Sequence, residues 1–291
     1  MKHAYLIIAH KNDYTFQTLL DLVDDEQNDI FIHMDKKNKQ YQFEDIANRI
    51  RKSNIYQVEN RIDVVWGDYS QIATELALLE LSTTTGHYDY YHLLSGEDLP
   101  IKTQDYIHHF FEQNKGKEFI RFENQIFLHS ERVAQYHFAQ RLIGKPDLHP
   151  HLYSLEHHFV KLQKIIGIKR NKYVQFQKGA NWFSITDELA REVVSRKSWI
   201  KKVFKFTECC DEVFLQTIVN QSKFKERLYH TKFDNDIHSI MRLIDWNRGN
   251  PYIFKYIDKA LLKQTDMLFA RKFNCEVDKK IIEFIAQSLA K

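Results

Sequence analysis

The sequence predicts an α/β fold built on a doubly wound, largely parallel sheet, and three observations carry that prediction. Strand-like and helical stretches alternate through the N-terminal third, a pattern that right-handed crossovers convert into a sheet with helices on both faces. The strand-like stretches are continuous apolar runs, as expected of parallel strands covered on both sides. The central run, Tyr88–Leu94, stops abruptly at Ser95-Gly96-Glu97-Asp98 and then Pro100. Such a turn suits an open α/β sheet, in which ligands bind outside the carboxyl ends of the strands.

Ala4–Ala9 (AYLIIA) reads as the first buried strand, closed by the loop His10-Lys11-Asn12-Asp13, with a helix start at its end. Phe16, Leu19, Leu20 and Val23 follow at helical spacing, and Asp29–His33 is the next strand, ending in Met34-Asp35-Lys36-Lys37. Phe43, Ile46 and Ile50 suggest a second helix, Ile55–Val58 a third strand, and Val64-Val65-Trp66-Gly67 a short connection. Ser70–Leu81 is rich in helix formers, with Ser70 as its cap. The loops at His10, Asp35, Trp66 and Ser95–Asp98 should therefore line one crevice. Asp35 has the position of an acid that could bond a ribose, and equally that of a turn residue.

Beyond Pro100 a helix capped by Thr103 and a strand over Lys117–Phe122 are expected, then a helical, basic region from Ser130 to Asn171. There Leu155, Phe159, Leu162 and Ile166 form one stripe beside Lys161, Lys164, Lys169 and Arg170. A basic amphipathic helix can lie on an anionic membrane or grip a polyanion; the commoner arrangement, expected here, packs the stripe on the core. Gly179–Ile185 returns to strand character. Asp211 and Glu212 are placed at a helix start, where the peptide dipole favours ionised carboxylates. Asp234-Asn235-Asp236 has the form of a metal-binding Asp-x-Asp but lies in a polar stretch and reads as a loop.

Composition narrows the function. The low counts of Gly (8) and Pro (4) in 291 residues argue against disorder and long linkers. A net charge of +3 is too small to mark a nucleic-acid footprint. Neither Gly-x-Gly-x-x-Gly nor a Walker lysine loop is present, which argues against a dinucleotide oxidoreductase or a P-loop NTPase. Three cysteines without metal-ligand spacing suit a reducing compartment. With no transmembrane-length apolar window and only Met1-Lys2-His3 before the first strand, the expected location is cytoplasmic, or peripheral at the inner face of the cell membrane.

Eight segments, in order, resemble the core-2/I-branching glycosyltransferases, the family that also holds the peptide xylosyltransferases: AYLIIAHK, IHMDKK, VVWGDYS, YHLLSGEDLPIKT, GANWFSIT, CCDEVFLQTIV, RLIDW and FARKF. Leu128–Val174 is the stretch they leave least covered. The resemblance implies one GT-A-like domain over residues 1–291, with a nucleotide-binding half (1–125) and an acceptor-binding and catalytic half (126–291). It implies inverting transfer of a sugar, N-acetylglucosamine or in some relatives xylose, from a UDP-sugar to a hydroxyl of a glycan or lipid-linked glycan. No cofactor and no metal are implied, since basic side chains serve the diphosphate.

Carried over position by position, Glu212 falls on the catalytic base and Lys272 on the diphosphate-binding lysine. The arginine partner of Lys272 is Arg248 in the nearest alignment, with Arg271 and Lys255 as alternatives. Ala9, His10, Lys11, Asp35, Lys36, Trp66 and Gly67 fall on nucleotide contacts. Trp246, Asp211 and Trp182 fall on the acceptor side, and Asp98 is a secondary candidate for ordering donor-side loops. Animal secretory members carry a membrane anchor and disulfides that this sequence lacks, which points to a bacterial relative. Two readings stay open beside this one: a metal-dependent enzyme using Glu97, Asp98 or the Asp234–Asp236 loop, and a non-catalytic carbohydrate-binding scaffold.

Overall fold

The computed structural model describes residues 1–290. Its strands are β1 (His3–Ala9), β2 (Asn28–Met34), β3 (Asn54–Gln57), β4 (Tyr90–Ser95), β5 (Asp98–Pro100), β6 (Phe119–Phe122), β7 (Gly179–Thr186), β8 (Arg242–Ile244) and β9 (Phe269–Arg271). The larger sheet has the order β3-β2-β1-β4-β7-β6. Its first four strands are parallel, and β7 runs antiparallel to β4 and β6. The carboxyl ends of five strands and the amino end of β7 therefore share one edge. The smaller sheet has the order β5-β9-β8, with β8 parallel and β5 antiparallel to β9. The fold is the expected α/β class.

Side chains alternate across the larger sheet. Leu6, Phe31 and Leu93 point into one core with Phe183 and Phe214, while Tyr5, Ile7, Ile30 and Leu94 point into the other with Phe269 and Ile282. Both cores draw on residues before and after position 125. No helix of the described residues is long and apolar enough to cross a membrane.

Three local expectations are corrected. Ser70 is the first residue of the helix Ser70–Thr85 and does not cap it. Its hydroxyl instead accepts from Val65 N–H at 2.9 Å and pins the connection before Trp66. The stretch 130–171 breaks into helices Ser130–Ala134, Gln140–Ile143 and Pro150–Ile165. Gly144 at φ 58 and the two prolines Pro146 and Pro150 interrupt it. Finally, the stripe Leu155, Phe159, Leu162 and Ile166 faces solvent, and Glu156, Val160 and Gln163 are the buried side. The helix rests on the Tyr136–Ala139 backbone, which requires hydrogen-bond partners. Gln163 supplies them to Tyr136 N–H and C=O at 2.8 Å each.

Only Gly96 and Glu97 separate β4 from β5, so this turn joins the two sheets. Asp98, fully buried, holds the joint together. It accepts from Ser95 N–H and Oγ at 3.0 Å each, from Arg242 Nη1 at 2.8 Å and from Arg271 Nη1 at 2.7 Å. Arg242 lies on β8 and also donates to Leu93 C=O at 2.7 Å, so one guanidinium ties β8 to both β4 and β5.

Removing the Asp98 carboxylate would leave the buried Arg242 charge without its partner. Asp98→Ala should cost about 3–5 kcal/mol of stability, read from the urea midpoint, and a loss below about 1 kcal/mol would show that the ion triad does not hold the joint. A second buried acid gives a pH signature. Glu118 accepts from Thr186 N–H at 2.9 Å and Oγ1 at 2.6 Å, and burial raises it from 4.5 to about 7. The unfolded chain loses this proton first, so wild-type stability should fall relative to Glu118→Gln as pH rises from about 4 to 7, by up to about 3 kcal/mol. A pH-independent difference between the two proteins would refute the assignment.

Candidate active site

The nucleotide-side candidates lie together at the shared edge. Ala9 ends β1, and its carbonyl accepts from Asp35 N–H at 2.8 Å, while the His10 carbonyl accepts from Asn38 Nδ2 at 3.2 Å. Asp35 is buried; its Oδ1 accepts from Lys37 N–H at 2.8 Å and its Oδ2 lies 3.2 Å from Lys37 Nζ. Lys36 is exposed, with its N–H on Ile62 C=O at 3.0 Å. Lys11, also exposed, lies 3.6 Å from Glu276. Gly96 N–H donates to Ile8 C=O at 2.9 Å and Lys37 Nζ to Val64 C=O, so the loops after β1, β2 and β4 and the connection before Trp66 meet at this edge, as the strand pattern implied.

The Trp66–Gly67 turn also touches the acidic segment. Gly67 has φ +74, and a Cβ there would sit 2.5 Å from Gln140 Nε2 and 3.1 Å from Cys209 Sγ. Its carbonyl accepts from Cys209 N–H at 2.9 Å. Cys209 itself is left-handed (φ 48), a conformation that costs a non-glycine residue of order 1 kcal/mol and is stored where a site requires it. It launches the single 3-10 turn Cys210–Glu212, while the following helix begins at Phe214.

This turn sends the two acids in different directions. Asp211 is buried and accepts from Gln71 Nε2 at 2.9 Å. Burial, and then the neighbouring Glu212 charge, raise its carboxyl well above the usual range. Glu75, fully buried beside it, is raised by burial and then by Asp211. The dipole-favoured ionisation expected for this pair is therefore overturned at Asp211, where desolvation is the larger effect. Glu212 remains accessible. Arg132 Nη1 lies 3.2 Å and Lys178 Nζ 3.4 Å from the same oxygen, Oε2, and Lys178 also meets Glu123 at 3.1 Å. Both cations hold one oxygen of the carboxylate and leave the other open.

Lys178 reaches this place because it precedes β7, whose first residue must be glycine: a Cβ on Gly179 would meet Arg121 C=O at 1.6 Å. Four residues on, about 13 Å along an extended chain, Trp182 lies under the second cluster. Arg271 and Arg242 stack on its ring at 4.4 and 4.8 Å. Lys272 Nζ pairs with Glu97 at 2.8 Å, and Arg271 Nη1 also donates to Ser95 Oγ. Glu97 and Asp98 set against Arg242, Arg271 and Lys272 leave this corner one positive charge in surplus.

Arg248 lies near Lys272, whose N–H donates to Tyr252 C=O at 3.4 Å, but the Arg248 charge is engaged by two carboxylates. It is paired with Asp245 and, at 2.7 Å, with Asp258, and it stacks on Tyr252 at 4.0 Å. Lys255 is exposed at the start of a 3-10 turn. Arg271, by contrast, shares the Glu97–Asp98 turn with Lys272. Trp246, half-exposed, follows β8, and because β8 and β9 are parallel its loop leaves at the same edge as Lys272. Asp234 is engaged with His230 at 2.8 Å, and Asp236 caps the turn at His238, so this stretch is a loop as read. Sequence reasoning missed Arg132, Lys178, Arg242 and Glu75. Among these, Arg242 in RLIDW was signalled by an arginine within an apolar run.

A cleft of about 380 Å³ opens beside Arg132, between the helix Pro150–Ile165 and the Cys209 loop. Arg132, Trp66, His137, Tyr153 and Lys161 line it, so Arg132 belongs to both the cleft and the carboxylate cluster. Among the described residues no group of three or more His, Cys, Asp or Glu side chains is placed to hold a metal ion.

Comparison with known proteins adds an independent line. Xylosyltransferase 2 of Rattus norvegicus is 22% identical over 303 residues, covering 97% of this chain and 33% of the relative. Xylosyltransferase oxt of Drosophila melanogaster is 22% identical over 275 residues, covering 87% and 29%. The chain therefore spans about a third of the length of the curated relatives it matches. Among solved structures, apo mouse xyloside xylosyltransferase 1 aligns with a TM-score of 0.39 and 10% identity, covering 94% of this chain and 98% of that one. Glucosyl-3-phosphoglycerate synthase of Mycobacterium tuberculosis, in complex with Mn2+, UDP and phosphoglyceric acid, aligns with a TM-score of 0.29 and 12% identity, covering 65% and 56%. The family model described as Core-2/I-Branching enzyme matches residues 3–266, and the chain belongs to that family.

Proposed function

We propose that this protein is an inverting glycosyltransferase that moves a sugar, N-acetylglucosamine, from a UDP-sugar to a hydroxyl of a glycan or lipid-linked glycan. The observation that carries the reading is the pairing of an accessible, oriented carboxylate at Glu212 with a cationic corner at Arg271 and Lys272, on one sheet edge. The acceptor oxygen attacks the anomeric carbon from the face opposite the diphosphate. Its proton passes to the open oxygen of Glu212 as the bond from carbon to phosphate oxygen breaks. UDP leaves with the electron pair, and Lys272 and Arg271 neutralise its developing charge without a metal. Burial raises the Asp211 and Glu75 carboxyls above the usual range, which lessens the negative charge competing with the base.

In this reading Ala9–Lys11, Asp35, Lys36 and the Trp66–Gly67 turn receive the nucleotide. The cleft beside Arg132 receives the acceptor, with the half-exposed Trp246 offering a flat face to a sugar ring and Trp182 supporting the two guanidinium groups on its ring. A second donor, UDP-xylose, is favoured by one observation: the relatives that match most of this chain are named xylosyltransferases. A comparison of the two UDP-sugars as donors separates the cases.

Glu212→Gln keeps the shape and removes the base. Turnover should fall by roughly 10²–10⁴, with the donor KM little changed. Near-normal turnover in a folded variant would remove Glu212 from the mechanism.

A further inference from the structure

The helix Pro150–Ile165 is turned inside out. Amphipathic helices bury their apolar stripe, yet here Leu155 is 66% exposed, Phe159 41%, Leu162 51% and Ile166 62%. The spacing of four, three and four residues keeps all of them on one side of the helix. The inward side is engaged by Glu156 and Gln163 with the Tyr136–Ala139 backbone, so the helix cannot roll over without losing those hydrogen bonds. Phe138, itself exposed, extends the patch beside Phe159, with ring centres 6.1 Å apart. A contiguous exposed apolar surface of this kind marks an interaction site.

The rim of the patch identifies its occupant. Phe206 lies 5.1 Å from Phe138, and Lys205 Nζ sits 4.9 Å from the Phe206 ring centre. Arg170 donates to the carbonyls of Val203 and Phe206, which brings the Lys169–Lys172 segment against the end of the helix Lys197–Phe204. Among the described residues no carboxylate lies within ion-pair distance of Lys169, Lys172, Lys201, Lys202 or Lys205. No Asp or Glu occurs between His157 and Thr186, nor between Val193 and Thr207. Exposed apolar side chains bordered by unpaired lysines from two separate elements match the two demands of an anionic bilayer surface: an acyl boundary to enter and headgroup charge to neutralise.

We infer that this face docks on anionic membrane lipid, seating the Leu155–Ile166 stripe at the acyl boundary and the lysine rim among the headgroups. The inference stands apart from the transferase reading, because its readout is binding. The test is flotation of the full chain with vesicles of phosphatidylcholine alone and of phosphatidylcholine with phosphatidylglycerol, at low salt. The expected result is capture by the anionic vesicles only. Leu155→Ser/Phe159→Ser/Leu162→Ser should abolish capture, and Lys169→Glu/Lys172→Glu/Lys205→Glu should weaken it about a hundredfold. Both variants should keep the wild-type circular dichroism, since every altered side chain is solvent-exposed. No capture, equal capture by phosphatidylcholine, or undiminished capture of the stripe variant would overturn the inference. So would a dimer in light scattering that the stripe variant dissolves while vesicles are ignored, because a second copy would then be what covers the face.

Discussion

The arrangement depends on one buried carboxylate. Asp98 is removed from solvent at the point where the two sheets meet, and it is tolerable there because four donors converge on it, two of them guanidinium groups. Such a cluster adds little net stability over an apolar equivalent, while removing one partner leaves a stranded charge. Its value here is positional. Arg242 comes from β8, Arg271 from β9 and the carboxylate from β5, so satisfying Asp98 fixes three strands relative to β4. With Arg271 anchored, Lys272 is set at the crevice edge beside Glu97, and the corner keeps its surplus of positive charge.

The second cluster uses the opposite logic. Around Glu212 the neighbouring acids Asp211 and Glu75 are buried, and for both the desolvation that favours the neutral form is the largest effect, exceeding the pull of Arg132 on Asp211. The accessible carboxylate is thereby singled out, and Arg132 and Lys178 orient it by a single oxygen. Between the two clusters β7 offers Ala180 and Trp182, packed with Ile240 and Ile244. The accessible carboxylate near the start of β7 and the cationic corner at the end of β9 are thus set about a short strand segment apart, as the proposed roles of proton acceptor and anion site would need. That is the division of labour a displacement at a sugar phosphate requires.

Much of this was legible in the sequence, for physical reasons. Parallel strands covered on both faces leave continuous apolar runs, so AYLIIA, DIFIH and YYHLL are recognisable without neighbours, and a parallel order places their terminal loops together. Ser95–Asp98 was visible as a turn bearing two acids. Its role was hidden, because the partners that make Asp98 a structural anchor lie on strands of three residues each, too short to carry a periodic signal. The pairing of Arg248 with Asp245 and Asp258 likewise has no mark in sequence. The stripe from Leu155 to Ile166 had the right period for a core helix. Its outward orientation follows from backbone groups at Tyr136–Ala139, which no hydrophobic pattern reports. The dipole argument for Asp211 failed because burial depends on the fold as a whole.

In the proposed mechanism the Asp98-anchored cationic corner, in place of a metal, receives the nucleotide diphosphate. The decisive measurement is thermal unfolding of the wild type and of Lys272→Ala, each with UDP in excess chelator, because a ligand bound only by the folded state raises the melting temperature. The wild type should show a clear rise and the variant none. A rise that requires an added divalent cation, or one that survives undiminished in Lys272→Ala, would contradict it.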